Sequence, residues 1–193
     1  SVMDSDHPAL DGITLEKLKE KGWMRLNLPT PYLPFTDGFP TDSGKLEFDS
    51  AKAVAKGLDP MPGFTPPGEV TDEALAKRYP LALVAPASHY FLNTNFGNMP
   101  EMLERAGPRR VTLSPKDAAA RGIVEGDIAR IFNDRGTFEA EIVVSDVVQP
   151  GVAASTKGYW PKIIGDNANL NLTVAERDSD MGGGAVFHDN RVE

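Results

Sequence analysis

Cysteine is absent from all 193 residues, and histidine occurs only at His7, His89 and His188. The first absence excludes disulfides, thiolate zinc sites, iron–sulfur ligation and a thiol nucleophile supplied by this chain. The histidines share no metal-ligand spacing, so no metal site is expected from the chain's own side chains. His89 has no legible serine or acid partner in the order of a hydrolytic triad, and no catalytic residue is assigned. Long apolar runs are also missing. The longest, residues 81–85 and 142–144, fall far short of the ~18–20 residues of a membrane span, so no direct membrane insertion is expected. Positive charge is in deficit, with 20 Lys and Arg against 28 Asp and Glu and a net charge of -8. That balance argues against an extended nucleic-acid surface. No charged-then-apolar leader follows Ser1, and the chain reads as a piece of a longer polypeptide.

Glycine and proline are abundant, at 18 and 16 residues, and unevenly placed. Ten of the prolines fall in the first 80 residues, eight of them from Pro29 to Pro67. Proline fixes φ and removes a backbone donor, so residues 1–78 are expected to form an extended arm that packs on another surface. Two helices should interrupt it, residues 15–21 capped by Thr14 and residues 51–56 capped by Asp49 or Ser50, with a short strand at 45–48.

From Tyr79 the pattern becomes that of a β domain. Strands are predicted at residues 81–85, 109–113, 127–133, 137–145, 151–156 and 184–192, with a long irregular loop at 157–183. Ser114, Pro115 and Asp117 form a capping box that opens a helix ending at Gly122. Asn133-Asp134-Arg135-Gly136 makes a hairpin turn. Six short strands with few helices indicate a small closed barrel, so residues 79–193 are expected to be one mainly β domain.

Polar loop residues gather in two clusters, residues 88–95 and 165–173. Amides and hydroxyls offer both donors and acceptors, which suits the edge of a heterocyclic ligand. Asparagines are equally at home in turns, and on the residues alone both readings stand. Trp160 serves either as a lid over the barrel mouth or as a stacking surface. Arg109 and Arg110, heading a strand, are expected to be solvated, and His188 to lie on the barrel surface. Three short motifs carry little. Asp42-Ser43-Gly44 matches an aspartic-protease triplet but sits in the Pro/Gly-rich arm, where a turn explains it. Gly182-Gly183-Gly184 has no strand-then-helix context and fits a bulge before the last strand. Asn171-Leu172-Thr173 is a formal sequon of a kind that arises by chance.

The ordered set Ala87-Ser88-His89-Tyr90-Phe91-Leu92-Asn93-Thr94, Leu113-Ser114-Pro115-Lys116-Asp117, Phe132-Asn133-Asp134-Arg135-Gly136, Val148-Gln149-Pro150-Gly151-Val152, Asn169-Leu170-Asn171-Leu172-Thr173 and Asp180-Met181-Gly182-Gly183-Gly184-Ala185 resembles a known family. It is similar to the C-terminal dinucleotide-binding domain of molybdopterin oxidoreductases, the dimethyl sulfoxide reductase superfamily. The branch it most resembles holds polysulfide, thiosulfate and arsenate reductase-type subunits. The arm stretch Leu33-Pro34-Phe35-Thr36-Asp37-Gly38-Phe39-Pro40 also resembles what such subunits carry just before this domain.

The resemblance implies a six-stranded double-psi β-barrel that binds and orients bis(molybdopterin guanine dinucleotide), with redox chemistry at molybdenum or tungsten. It places Ala87, Ser88, His89, Asn93 and Thr94 in a first cofactor loop, and Asn169, Asn171 and Thr173 in a late loop that reads the pterin. Tyr159 and Trp160 fall where many relatives have a histidine–tryptophan pair, and Pro86-Ala87 where many have Gly-Arg. Pyrophosphate contact is then expected from backbone N–H groups. The metal ligand, and an iron–sulfur cluster where there is one, would lie in the preceding domains of the same catalytic subunit, so the domain alone is expected to be inactive. Iron–sulfur electron-transfer and membrane-anchor subunits are the further partners implied, in the cytoplasm or periplasm of a bacterium. The other reading is a non-catalytic double-psi-barrel interaction module, or a small accessory subunit of a pterin enzyme.

Overall fold

The computed structural model describes residues 5–61, 63–180 and 182–193. The chain divides into two compact units, Ser1–Pro62 and Gly63–Glu193.

The first unit has little regular structure, as its prolines dictate. α1 (Leu15–Lys21) starts where Thr14 Oγ1 accepts from the Lys17 N–H and stops at Gly22, whose φ of 78° only glycine adopts readily. α2 (Ala51–Ala55) is capped by Ser50, which accepts from the Ala53 N–H. The strand expected at residues 45–48 does not form. No neighbouring strand meets it, and turn contacts hold it instead: Thr41 Oγ1 donates to the Lys45 carbonyl (2.7 Å) and the Ser43 N–H to Glu47 (3.0 Å). Ala9, Ile13 and Ala53 are the buried apolar residues among those described in this unit.

The second unit opens with α3 (Gly68–Thr71) and α4 (Glu73–Arg78), the latter capped by Asp72. Then follow β1 (Leu81–Val84), α5 (Pro100–Ala106), β2 (Arg110–Leu113), α6 (Pro115–Arg121), β3 (Ile128–Phe132), β4 (Thr137–Val144), β5 (Val152–Ser155), α7 (Pro161–Ile164) and β6 (Arg191–Val192). A 3₁₀ turn at Leu170–Thr173 lies between α7 and β6.

The strands form one mixed sheet in the order β3-β4-β2-β5-β1-β6. β4–β2 and β5–β1 run parallel, and the other three pairings are antiparallel. The sheet curls so that its two ends meet. Phe132, at the end of β3, and Glu193, just past β6, exchange both backbone hydrogen bonds (2.7 and 2.9 Å). Curling buries one face of each strand: Leu81 and Leu83, Val111 and Leu113, Ile131, Phe138, Ala140 and Ile142, Ala153, and Val192. The period of two in β4 matches the expected Phe138-Ala140-Ile142 face.

The expected capping box holds α6. Ser114 Oγ donates to Asp117 Oδ2 (2.7 Å) and accepts from the Asp117 N–H. Asp117 Oδ2 also accepts from the Gly151 N–H (2.8 Å), which fastens the helix to the turn before β5. The last strand is far shorter than the expected 184–192. Residues 177–180 and 182–186 instead fold back on each other, with the Ser179 N–H donating to the Gly184 carbonyl and the Val186 N–H to that of Arg177. The Gly182-Gly183-Gly184 run sits in that reversal, where Gly183 has φ 64°.

The expected domain boundary lay at 78/79, whereas the contact pattern groups α3 and α4 with the sheet. The reason is a buried polar network. Glu69 pairs with Arg135 (2.8 Å) and accepts from the Arg191 N–H (3.0 Å). Asp189 caps α3 by accepting from the Glu69 and Val70 N–H groups and pairs with Arg177. Asn190 donates to Thr173 Oγ1 (2.7 Å), and Asn133 donates to the carbonyls of Thr173 and Arg191 (2.7 and 2.9 Å). Each buried polar side chain of the set has a partner, which is what the interior demands.

Candidate cofactor site

The carboxyl-terminal ends of β1 and β5 and the 3₁₀ turn enclose a pocket of about 380 Å³, open to solvent. Its wall includes Asn93 and Thr94 from the loop after β1, Thr156, Lys157 and Gly158 after β5, Asn169 and Asn171 from the late loop, and Phe187. Among the described residues, no carboxylate lines it.

Close backbone contact fixes the first two segments against each other. Gly158 has φ 114°, and a Cβ there would lie 2.3 Å from the Asn93 carbonyl oxygen. A Cβ on Gly97 would lie 2.6 Å from the Gly158 carbonyl. Trp160 donates its indole N–H to the Thr94 carbonyl (2.7 Å), and Phe91 meets Tyr159 edge to face at 5.2 Å. The Lys157 N–H donates to the Pro86 carbonyl (3.1 Å), in a parallel bridge with Ala87. Asn93 adopts φ 54°, which asparagine tolerates better than most residues.

The late loop is held from below by Arg109. Its guanidinium donates to the Glu139 carbonyl (2.6 Å), the Ala168 carbonyl (2.7 Å) and the Asp166 carboxylate, and lies over the Phe138 ring. The expectation that Arg109 is solvated is corrected: it is 6% exposed, whereas Arg110 points outward to Glu141. Strand alternation carried the signal, because Arg109, Val111 and Leu113 share the inward face. The hydrogen bond from Arg109 holds the Asp166 carboxyl below the usual aspartate range. Asn169 Oδ1 accepts from the Asn171 N–H (3.0 Å) and so caps the 3₁₀ turn, and both asparagines line the pocket.

The site residues expected from the sequence therefore separate into groups. Asn93, Thr94, Asn169 and Asn171 converge on the pocket. Ser88 and His89 line a different cleft of about 250 Å³ with Tyr90, Arg110 and Thr112. Ser88 Oγ accepts from the Tyr90 N–H, a local turn contact. Ala87 is exposed, in its bridge with Lys157. Tyr159 lines both spaces but is buried, its hydroxyl directed at the Gly107 and Pro108 carbonyls (3.2 Å each). Burial pushes its phenol above the ordinary tyrosine value. Trp160 clamps a loop with its indole N–H. Thr173 is fully buried, its hydroxyl donating to the Leu170 carbonyl and accepting from Asn190. Composition did not point to Lys157 or Thr156. Both follow β5, and Lys157 continues the inward alternation of Ala153 and Ser155.

A concave wall that sets amides, hydroxyls, the Lys157 ammonium and the paired Arg109 guanidinium among apolar side chains such as Leu170 and Phe187 suits a flat ligand with a polar, anionic edge. Among the described residues, no group of three or more His, Asp or Glu side chains is placed to hold a metal ion, and no helix is long and apolar enough to cross a membrane.

Comparison with known proteins gives the class. A family model described as the molydopterin dinucleotide binding domain matches residues 81–191, and the chain belongs to that family. Over 188 residues it is 35% identical to the probable oxidoreductase YoaE of Bacillus subtilis, covering 97% of this chain and 26% of that protein. It is 34% identical over 179 residues to the probable dimethyl sulfoxide reductase chain YnfF of Escherichia coli, covering 83% and 22%. The dimethyl sulfoxide reductase DmsA of Escherichia coli is 34% identical over 140 residues, covering 70% and 17%. The chain thus spans about a quarter or less of the length of these relatives. The fold is shared with acetylene hydratase from Pelobacter acetylenicus, with a TM-score of 0.58 at 23% identity over 78% of this chain and 21% of that one.

Proposed function

We propose that this chain is the C-terminal domain of the catalytic subunit of a molybdenum or tungsten oxidoreductase and orients bis(molybdopterin guanine dinucleotide). The observation that carries the reading is the convergence of Asn93, Thr94, Asn169 and Asn171 on one carboxylate-free pocket. Their amides and hydroxyls would hold the pterin edge, and Arg109 would keep the late loop in place beneath it. When bound, the cofactor supplies the redox chemistry at its metal, and the protein supplies binding and orientation. The mixed curled sheet, closed by the Phe132–Glu193 pair, supports the finer description as a double-psi barrel. The metal-ligating side chain and any iron–sulfur cluster belong, in this proposal, to other domains of the same subunit. Iron–sulfur electron-transfer and membrane-anchor subunits complete the assembly.

The test is the Asn169→Ala/Asn171→Ala double variant of the full-length enzyme, purified and assayed for bound pterin and for turnover. Reduced pterin content with unchanged folding is the expected result. Full occupancy with normal turnover would remove both asparagines from the site.

A further inference from the structure

Two side chains of fixed positive charge reach the pocket, Arg109 and Lys157. They differ in what neutralises them. The Arg109 guanidinium is paired with Asp166 and bonded to two carbonyls. Lys157 makes no ion pair among the described residues, and its ammonium lies 5.5 Å from the centroid of the Phe187 ring, which also lines the pocket.

The position of Lys157 is also overdetermined. Its backbone is bridged to Ala87 on one side, and Gly158, whose conformation admits no ordinary side chain, follows on the other. Lys157 as a whole is half-buried. With no ion-pair partner among the described residues, its ammonium can pair with an anionic ligand in the pocket. Lysine acts as a compact point charge toward phosphate and needs no planar partner.

We propose that Lys157 is the anion anchor of this pocket, its ammonium pairing with a phosphate oxygen of the molybdopterin dinucleotide while the asparagines meet the heterocycle. The proposal rests on the cofactor reading above and refines it. A cationic side chain, in addition to backbone N–H groups, holds the phosphate.

The experiment uses the full-length enzyme with Lys157→Met, Lys157→Arg and, separately, Asn169→Ala/Asn171→Ala. Methionine keeps the apolar stem against Phe187 and removes only the charge. Bound pterin and released nucleotide are measured per enzyme, then again after washing in increasing KCl. Lys157→Met should retain the cofactor on the order of tenfold less well, the scale of one charge-assisted hydrogen bond. Its retention should also depend less on salt than that of the wild type, while Lys157→Arg stays near wild type. Wild-type retention and salt dependence in Lys157→Met would overturn the anchor. So would an equal loss in Lys157→Met and Lys157→Arg, which would assign the effect to packing on Phe187. Unchanged occupancy in the double asparagine variant overturns the site reading itself, independently of Lys157. Loading with the nucleotide-free pterin separates the two phosphate sources. A Lys157 effect that persists supports contact with the pterin phosphate, and one that vanishes supports contact with the nucleotide's.

Discussion

The buried guanidinium of Arg109 donates to the Asp166 carboxylate, and that one pair fixes the start of the loop that brings Asn169 and Asn171 to the pocket. An arginine at the head of a strand thereby sets the geometry of a loop far along the chain.

Arg109→Ala should cost about 2–4 kcal/mol, because the Glu139 and Ala168 carbonyls and Asp166 all lose their donor. Arg109→Lys should recover only part of this, since one ammonium cannot span three separately placed acceptors. Urea unfolding of the two variants beside wild type measures both. Equal stability in all three would dismiss the clamp.

The Asp166 carboxyl is lowered by Arg109, so its contribution is complete above the ordinary aspartate value of about 4 and is lost as pH falls through the lowered value. Acidification below pH ~4 should therefore loosen the late loop. Asp166 Oδ1 also accepts from the Ala168 N–H (3.0 Å), which makes that amide the reporter. Its hydrogen-exchange protection should fall across this range in the wild type and be low throughout in Asp166→Ala, which has no acceptor for it.

Gly158→Ala should disorder the contact between the first loop and the segment after β5. The new Cβ would meet the Asn93 carbonyl at 2.3 Å, and φ 114° disfavours alanine. A loss of about 2–4 kcal/mol is expected. Trp160, bonded to Thr94, reports the change by fluorescence in a Trp23→Phe background, and an unshifted spectrum would argue against the interlock.

Glu69→Ala should destabilise the second unit by about 3 kcal/mol, because Arg135 is left without its partner and the Arg191 N–H without its acceptor. Glu69→Gln keeps the shape and one acceptor, so its loss should be smaller. Thermal unfolding distinguishes the pair, and identical melting of the two would show that the charge is immaterial.

Much of the fold was legible because local rules acted without competition. The capping box at Ser114, the hairpin at 133–136 and the alternating β4 face all follow from spacing alone. The strand expected at 45–48 failed because a strand needs a partner that spacing does not reveal. The long final strand failed where three glycines and a local fold-back outweighed the apolar alternation. Asn93, Thr94, Asn169 and Asn171, which the family resemblance assigned to two separate loops, line one pocket. Thr173 has the same chemistry, but the Asn190 bond and the Leu170 carbonyl turn it into the core.

The sequence by itself determined the absence of thiol and disulfide chemistry, the acidic balance, the mainly β second half and the polar loops at its strand ends. It also carried the ordered motifs by which the family is known. Tertiary structure alone decided which polar groups share a pocket, because curling of the sheet brings residues 93–94, 157–158 and 169–171 together across most of a domain's length. It also decided that Arg109 is buried and paired while Lys157 is left with an aromatic ring as its neighbour. Charge counts are additive along a chain, whereas neutralisation depends on distance and burial, and those exist only once the sheet has closed.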